Sequence, residues 1–225
     1  MISVSDLSYL GLCQIAFLFN KKAKIVTRAM MQGAKRHNEL QQRAEFFTDE
    51  EMIEKIVKGE KFVAREISVA DNENGLRGRI DELQFLGHNN DKLNEVTIKD
   101  DKFSYSNFLG MNDVHRIQLS SYASIMPKDA KFKNLVEVVG ASINFRKFNT
   151  ADAVEFKVSG KQLSSWTEQI PKLTELGNEI LSNREVPGPY SFAMMDSEWL
   201  PVSKKTCAPC KYNKVCSVGR KILSG

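Results

Sequence analysis

The 225-residue chain carries four cysteines, split three against one. Cys207-x2-Cys210-x5-Cys216 places three thiols close together near the C-terminus, whereas Cys13 stands alone near the start. A metal that takes four thiolates finds three in the tail, and Cys13 is the one cysteine left to complete the set. If the four act together, the two ends of the chain must meet, which constrains any fold. Four thiolates suit either an iron–sulfur cluster or a tetrahedral zinc. Structural zinc usually draws on two close pairs, so the one-plus-three split favours a cluster stapling the N-terminal helix to the C-terminal tail. Lys204, Lys205, Lys211 and Lys214 crowd the tail, and nearby cations favour the thiolate form. Taken alone, Cys13 reads more simply as a small buried hydrophobe.

Composition excludes several classes. With 42% hydrophobic and 27% charged residues the chain is neither fibrous nor disordered, and its length suits one sizeable α/β domain over residues 1–225. No apolar run approaches the roughly 20 residues that span a bilayer, so no membrane partner is expected. The apolar run at residues 9–19 is followed by Lys21 and Lys22 instead of a small-residue cleavage site, and does not read as a signal peptide. A reducing cytoplasm is the expected location, where clustered thiols bind metal more often than they pair. A net charge of +4 permits a nucleic-acid partner without arguing for one.

Between the cysteines, the most structured stretch is residues 76–102, two strands of a hairpin joined around residues 87–90. The first carries Gly78-Arg79-Ile80-Asp81 and the second Glu95-Val96-Thr97-Ile98-Lys99. Strand alternation puts Glu95, Thr97, Lys99 and Asp101 on one face, and Val96, Ile98 and Asp100 on the other. Upstream, helices are expected over residues 3–20, 28–46 and 48–58, and a strand over 61–70. His37 lies four residues after Gly33 on a shared helix face. Downstream, residues 112–126 return to helical spacing, with Gln118 and Tyr122 on one side. Strands follow at 135–148 and 153–158, then a helix over 160–181 that Pro171 should kink or restart. Residues 183–206, with Pro187, Pro189 and Pro201, read as an extended surface connection. Taken alone, Asp81 and Lys99 are a cross-strand ion pair on a solvated hairpin.

In order along the chain, Cys13, Gly33-x3-His37, Gly78-Arg79-Ile80-Asp81, a strand ending in Lys99, Gln118-x3-Tyr122 and the three tail cysteines resemble the RecB-like nucleases of the PD-(D/E)XK superfamily. The branch most resembled carries a four-cysteine iron–sulfur cluster and includes the CRISPR-associated exonucleases that trim DNA before spacer integration. The likeness covers essentially the whole chain. It implies an α/β fold with a restriction-endonuclease-like mixed sheet flanked by helices. Residues 1–20 and 203–220 would form an iron–sulfur cap in which Cys13, Cys207, Cys210 and Cys216 hold a [4Fe–4S] cluster. It implies a metal-dependent deoxyribonuclease (exonuclease) acting on single-stranded or frayed DNA ends, with CRISPR integrase proteins as partners and room for an oligomer. Asp81 would be the central ligand of Mn²⁺ or Mg²⁺ and His37 an additional one. Lys99 would steady the attacking water or the developing charge. Gln118 and Tyr122 would face the DNA or support Lys99.

One position departs from the pattern. An acidic residue is expected two positions before the lysine, and Thr97 stands there. Glu95, on the Lys99 face, is the first choice to replace it, although a two-residue shift moves a side chain by about 6.5 Å. Asp101 or Asp100 could supply the carboxylate instead. Asp100-Asp101-Lys102 also spells D-x-K, but falls where the strand should be ending. Thr97 therefore points to reduced activity, and to a rival reading as an impaired DNA-binding or adaptor protein that keeps the fold and the cluster. A zinc-bound structural protein is a third reading.

Overall fold

The computed structural model describes residues 1–22, 25–41, 46–88, 92–104, 110–148, 153–208 and 210–224. It opens with β1 (Ile2–Ser3), α1 (Val4–Leu12), α2 (Gln14–Lys22), α3 (Arg28–Gln41) and α4 (Asp49–Val57). The strands β2 (Phe62–Asp71), β3 (Leu76–His88) and β4 (Asn94–Ser104) follow, then α5 (Asp113–Ile125), β5 (Val136–Lys147) and β6 (Ala153–Ser159). The chain closes with α6 (Gly160–Thr167), α7 (Ile170–Asn183), β7 (Tyr190–Ala193), β8 (Glu198–Pro201), α8 (Lys204–Cys207) and α9 (Ser217–Ser224). This is an α/β architecture, a mixed sheet flanked by helices.

Local chemistry explains the boundaries. Ser3, Thr48, Asn112 and Ser159 each accept a hydrogen bond from the first turn of the following helix, and each receives a side-chain contact in return. The helix expected over residues 3–20 is two helices, because Cys13 is fully extended (φ −171°) between them. The helix expected over 160–181 restarts, with Pro171 in the first turn of α7, where its missing N–H costs nothing. The stretch 183–206 is more ordered than its prolines suggest: β7 and β8 pair antiparallel, and Pro201 sits at the strand end. Of the expected helix 28–46 and the hairpin turn, residues 42–45 and 89–90 lie outside the described residues.

The six-stranded sheet runs β1-β3-β4-β5-β6, with β2 also paired to β3. β1–β3 and β4–β5 are parallel; β2–β3, β3–β4 and β5–β6 are antiparallel. Packed against it, α1, α5 and α7 contribute Leu7, Leu10, Ile117, Leu119, Ile170 and Leu173 to one continuous core. Among the described residues no helix is long and apolar enough to cross a membrane.

The edge of β3 positions the candidate site. β2 pairs with β3 from Leu76 to Phe85 and so fills one edge; β1 and β4 must share the other, at opposite ends. β1 pairs with Leu76 and Arg77, and β4 with Glu82 onward, so residues 78–81 have no strand partner on that edge. Beyond Lys99, β4 leaves β3 and continues on β5 alone, as far as Ser104 opposite Lys147. The two strands diverge at Asp81. Helices close the gap: a Cβ at Gly78 would lie 2.6 Å from Tyr122 Cε1 and 2.9 Å from Val4 Cγ2, so only glycine admits α1 and α5 there. The Tyr122 hydroxyl donates to the Arg79 carbonyl at 2.7 Å, satisfying a backbone acceptor that no strand reaches.

Candidate active site and cysteine cavity

Asp81 sits where β3 and β4 part. Its Oδ2 accepts from the Asp101 amide at 2.8 Å, so the side chain bridges the diverging strands. Asp81 shares a neighbourhood with Asp100 and Lys102, whose Nζ lies 2.6 Å from Asp100 Oδ2. Gln118 on α5 donates to Asp100 Oδ1 at 2.8 Å and lies 3.4 Å from the Tyr122 hydroxyl. From α3, His37 brings Nδ1 to 3.9 Å from Asp81 Oδ2 and packs its ring edge-on against Phe103. His37, Asp81, Gln118 and Tyr122, separated along the chain, therefore meet in one place.

Lys99 and Glu95 do not join them. Lys99 pairs across the strands with Glu82 and its Nζ lies 3.5 Å from Glu82 Oε1, while Arg65 bonds the other oxygen of that carboxylate. Thr97 pairs with Gln84, and Glu95 with Gly87 near the hairpin turn. The reason is the two-residue period: Lys99 points to the face opposite Asp100, and Asp100 is the residue level with Asp81. Asp101 also points away, bonded to Arg146 Nε at 2.9 Å. The D-x-K register beside Asp81 is thus Asp100-Asp101-Lys102, on a strand that runs further than its acidic sequence suggests. Gln118 supports Asp100, not Lys99, and Tyr122 holds the Arg79 carbonyl.

Electrostatics follow from this crowding. Burial, then the Asp100 charge, push the Asp81 carboxyl up to about 8, against the opposing pull of Lys102 and the Asp101 amide. Burial alone would lower the Lys102 ammonium, but Asp100 and Asp81 hold it above its ordinary value. Burial and then Lys102 lower His37, which favours the neutral imidazole that can ligate a cation. Burial and Lys102 likewise press His115, on α5, down to about 4.

Sequence reading also missed Glu66. His37, Glu66 and Asp81 each offer a ligand atom within 4.8 Å of the others. Glu66 lies in the middle of β2 with φ +56°, a left-handed conformation uncommon for any residue but glycine. The buried side of both strands changes parity here: Ala64 and Leu83 are buried on one side of the irregularity, Val69 and Ile80 on the other. That broken alternation is the one sequence signal that could have drawn attention to it.

At the opposite end of α1, one small cavity of about 20 Å³ is lined by Cys13, Cys207, Cys210 and Cys216, with Phe19 and Tyr212. Cys207 comes from α8, and Cys210 and Cys216 from the turns before α9. Tyr212, fully buried, stacks on Phe19 at 5.6 Å and donates to Asn20 Oδ1 at 2.8 Å. Asn20 in turn donates to Asp6 Oδ1 at 2.8 Å, so the tail is tied to α2 and α1. The lysines do not dominate the thiols: burial raises Cys13, Cys207 and Cys210, and Lys211 only partly offsets this at Cys210.

No family model matches the chain, and no curated protein matches it. The crystal structure of SSO0001 is similar to it. The TM-score is 0.51 at 12% identity, over 96% of this chain and 85% of that one. At that identity the likeness shows the fold.

Proposed function

We propose that the chain is a metal-dependent deoxyribonuclease of the RecB-like kind, built on a restriction-endonuclease-like sheet with a [4Fe–4S] cap at its termini. The carrying observation is the meeting of Asp81 with Asp100 and Lys102 where β3 and β4 diverge, with His37 closing over them. Carboxylates beside an imidazole suit Mn²⁺ or Mg²⁺, and two buried carboxylate oxygens there, Glu66 Oε2 and Asp100 Oδ2, meet only an ion-pair partner, Arg79 Nε at 2.7 Å and Lys102 Nζ at 2.6 Å. A divalent cation there supplies Lewis acidity and a more acidic bound water. The chain's own part is to keep a permanent positive charge on Lys102 beside the place where phosphodiester charge develops. Gln118 fixes Asp100, and Asp100 fixes Lys102. Thr97, the reason for expecting weak activity, lies outside this group, so the adaptor reading loses its motive.

For the cap, four thiols around one cavity fit a four-thiolate group. Tetrahedral zinc with bonds of about 2.3 Å would hold its sulfurs about 3.8 Å apart. Among the described residues no three of these thiols all lie within 4.8 Å of one another, and the preference for a cluster rests on the one-plus-three split of the cysteines.

The test is cleavage of 5′- and 3′-labelled single-stranded DNA with and without Mn²⁺, comparing wild type with Asp81→Asn. Activity that needs Mn²⁺ and disappears in Asp81→Asn supports the reading; a metal-bound wild type that binds but never cuts DNA would establish the adaptor instead.

A further inference from the structure

The two ends of the sheet are finished differently. At one end, the outer side of β2 is guarded by side chains: the Ala70 amide donates to Asp129 Oδ2 at 2.7 Å, and Lys131 Nζ donates to the Ser68 carbonyl at 2.8 Å. Guards of that kind keep a strand from pairing with another chain. At the other end, every residue of β6 from Ala153 to Ser159 pairs with β5 on its inner side. Among the described residues no strand pairs with its outer side, and the one side chain bonded to its backbone is Gln162, at Ser159 where α6 begins.

The side chains of β6 make that open edge complementary to itself. Val154, Phe156 and Val158 stand opposite Phe145, Ile143 and Ala141 on the apolar side of the sheet, while Glu155 and Lys157 stand opposite Asn144 and Ser142 on the other side. Val154 is 50% exposed, and the Lys157 side chain 79%. A second copy laid antiparallel along this edge, Phe156 against Phe156, sets Glu155 opposite Lys157 twice and Val154 opposite Val158 twice. Opposite charges and apolar pairs directly across two strands are both favourable. Other two-fold registers do worse. Centred on Glu155 or on Lys157, they put like charges face to face; centred on Val154 or Val158, they leave the charges without a partner of opposite sign.

We propose that β6 is an interaction surface for a second copy of this chain, paired antiparallel about Phe156 so that one sheet runs through both molecules. The same edge serves both copies, so the contact closes as a dimer and does not propagate into a fibre. The two-fold axis stands perpendicular to the sheet, which keeps α5 and α6 of both copies on one side. The dimer is independent of the nuclease reading. Lys102 lies level with Phe145 and Val154, two strands in from the edge, so five strand spacings, about 24 Å, separate the two candidate sites across the joined sheet.

The experiment is sedimentation equilibrium of the full chain, under anaerobic reducing conditions and over a range of protein concentration. It compares wild type, Glu155→Lys, Lys157→Glu and an equimolar mixture of these two variants, with a thermal melt of each to confirm folding. Wild type should show a monomer–dimer equilibrium. Each variant alone faces like charges twice and should dimerise at least about tenfold more weakly. The mixture should return to within about threefold of wild type, because one copy then offers two cations and the other two anions. A wild type that is monomeric at every concentration overturns the proposal. A dimer that survives either single variant places the contact elsewhere and overturns it too, as does a mixture that stays monomeric.

Discussion

Lys102 Nζ lies 2.6 Å from Asp100 Oδ2, and the Asp100 side chain is 1% exposed. A buried carboxylate that lost its cation would be an uncompensated charge, so the two residues behave as a unit. Lys102→Met and Asp100→Asn should each lower Mn²⁺-dependent cleavage by about 10²- to 10³-fold. Lys99→Met and Glu95→Ala, on other parts of the strand, should stay within about threefold of wild type, and Thr97→Glu should give no gain. Single-turnover cleavage under one set of conditions ranks all five. A collapse in Lys99→Met with an intact Lys102→Met would return the site to the shorter register.

Tyr122 is predicted to matter through the backbone. Its hydroxyl satisfies the Arg79 carbonyl where β3 has no strand on the edge away from β2, two residues from Asp81. Tyr122→Phe leaves that acceptor unsatisfied at a cost of about 1–3 kcal/mol, read from urea unfolding. Gly78→Ala, which drives a methyl into Tyr122 and Val4, should cost a similar amount by overpacking. DNA affinity of folded Tyr122→Phe should be unchanged if the hydroxyl serves the strand alone.

The cysteines predict colour. Anaerobically purified protein should be brown with acid-labile sulfide, and Cys13→Ala should be pale and melt lower, because Cys13 is the N-terminal hold on the tail. Colourless protein containing one zinc would refute the cluster.

Asp6 predicts an acid limb of stability. Burial raises its pKa, but hydrogen bonds from Lys21 and Ser3, and the Lys21 charge, outweigh that and leave it below the ordinary 3.8. A carboxylate depressed in the folded state contributes stability above its unfolded pKa and loses it as pH falls through the folded one. Wild type should therefore exceed Asp6→Asn by a constant margin above about pH 5, and the margin should shrink below about pH 4. Paired urea titrations from pH 7 to pH 3 measure it; a margin that grows on acidification would contradict the ion pair with Lys21.

Much of this was legible in the residues. The elements from α4 through β6 follow their apolar spacing, and His37, Asp81, Gln118 and Tyr122 could be named because each lies within a short local pattern. The register of the lysine could not. Asp100, Asp101 and Lys102 look like a strand end, and what keeps them extended is β5, which pairs in parallel through Lys102 opposite Phe145. Such a partner is remote in sequence, and local propensity carries no trace of it. Glu66 was hidden for a different reason: it meets His37 and Asp81 from a left-handed backbone inside a strand, which strict alternation does not anticipate. The β7–β8 pairing escaped because its prolines lie where a short hairpin tolerates them.

α1 touches both candidate sites. Its first residue, Val4, packs at the Gly78 gap, Gly11 admits Ile117 of α5, and Cys13 follows its last residue. Nine helical residues span about 13 Å, too short to bend appreciably, so α1 is a strut between the thiol cavity and the strand that bears Asp81. Damage at one end should therefore reach the other as displacement. Oxygen exposure during purification, acting on thiols remote from Asp81, would show up as lost cleavage and as faster amide exchange at Arg79 and Ile80. A weak preparation is then evidence about its handling before it is evidence about its chemistry.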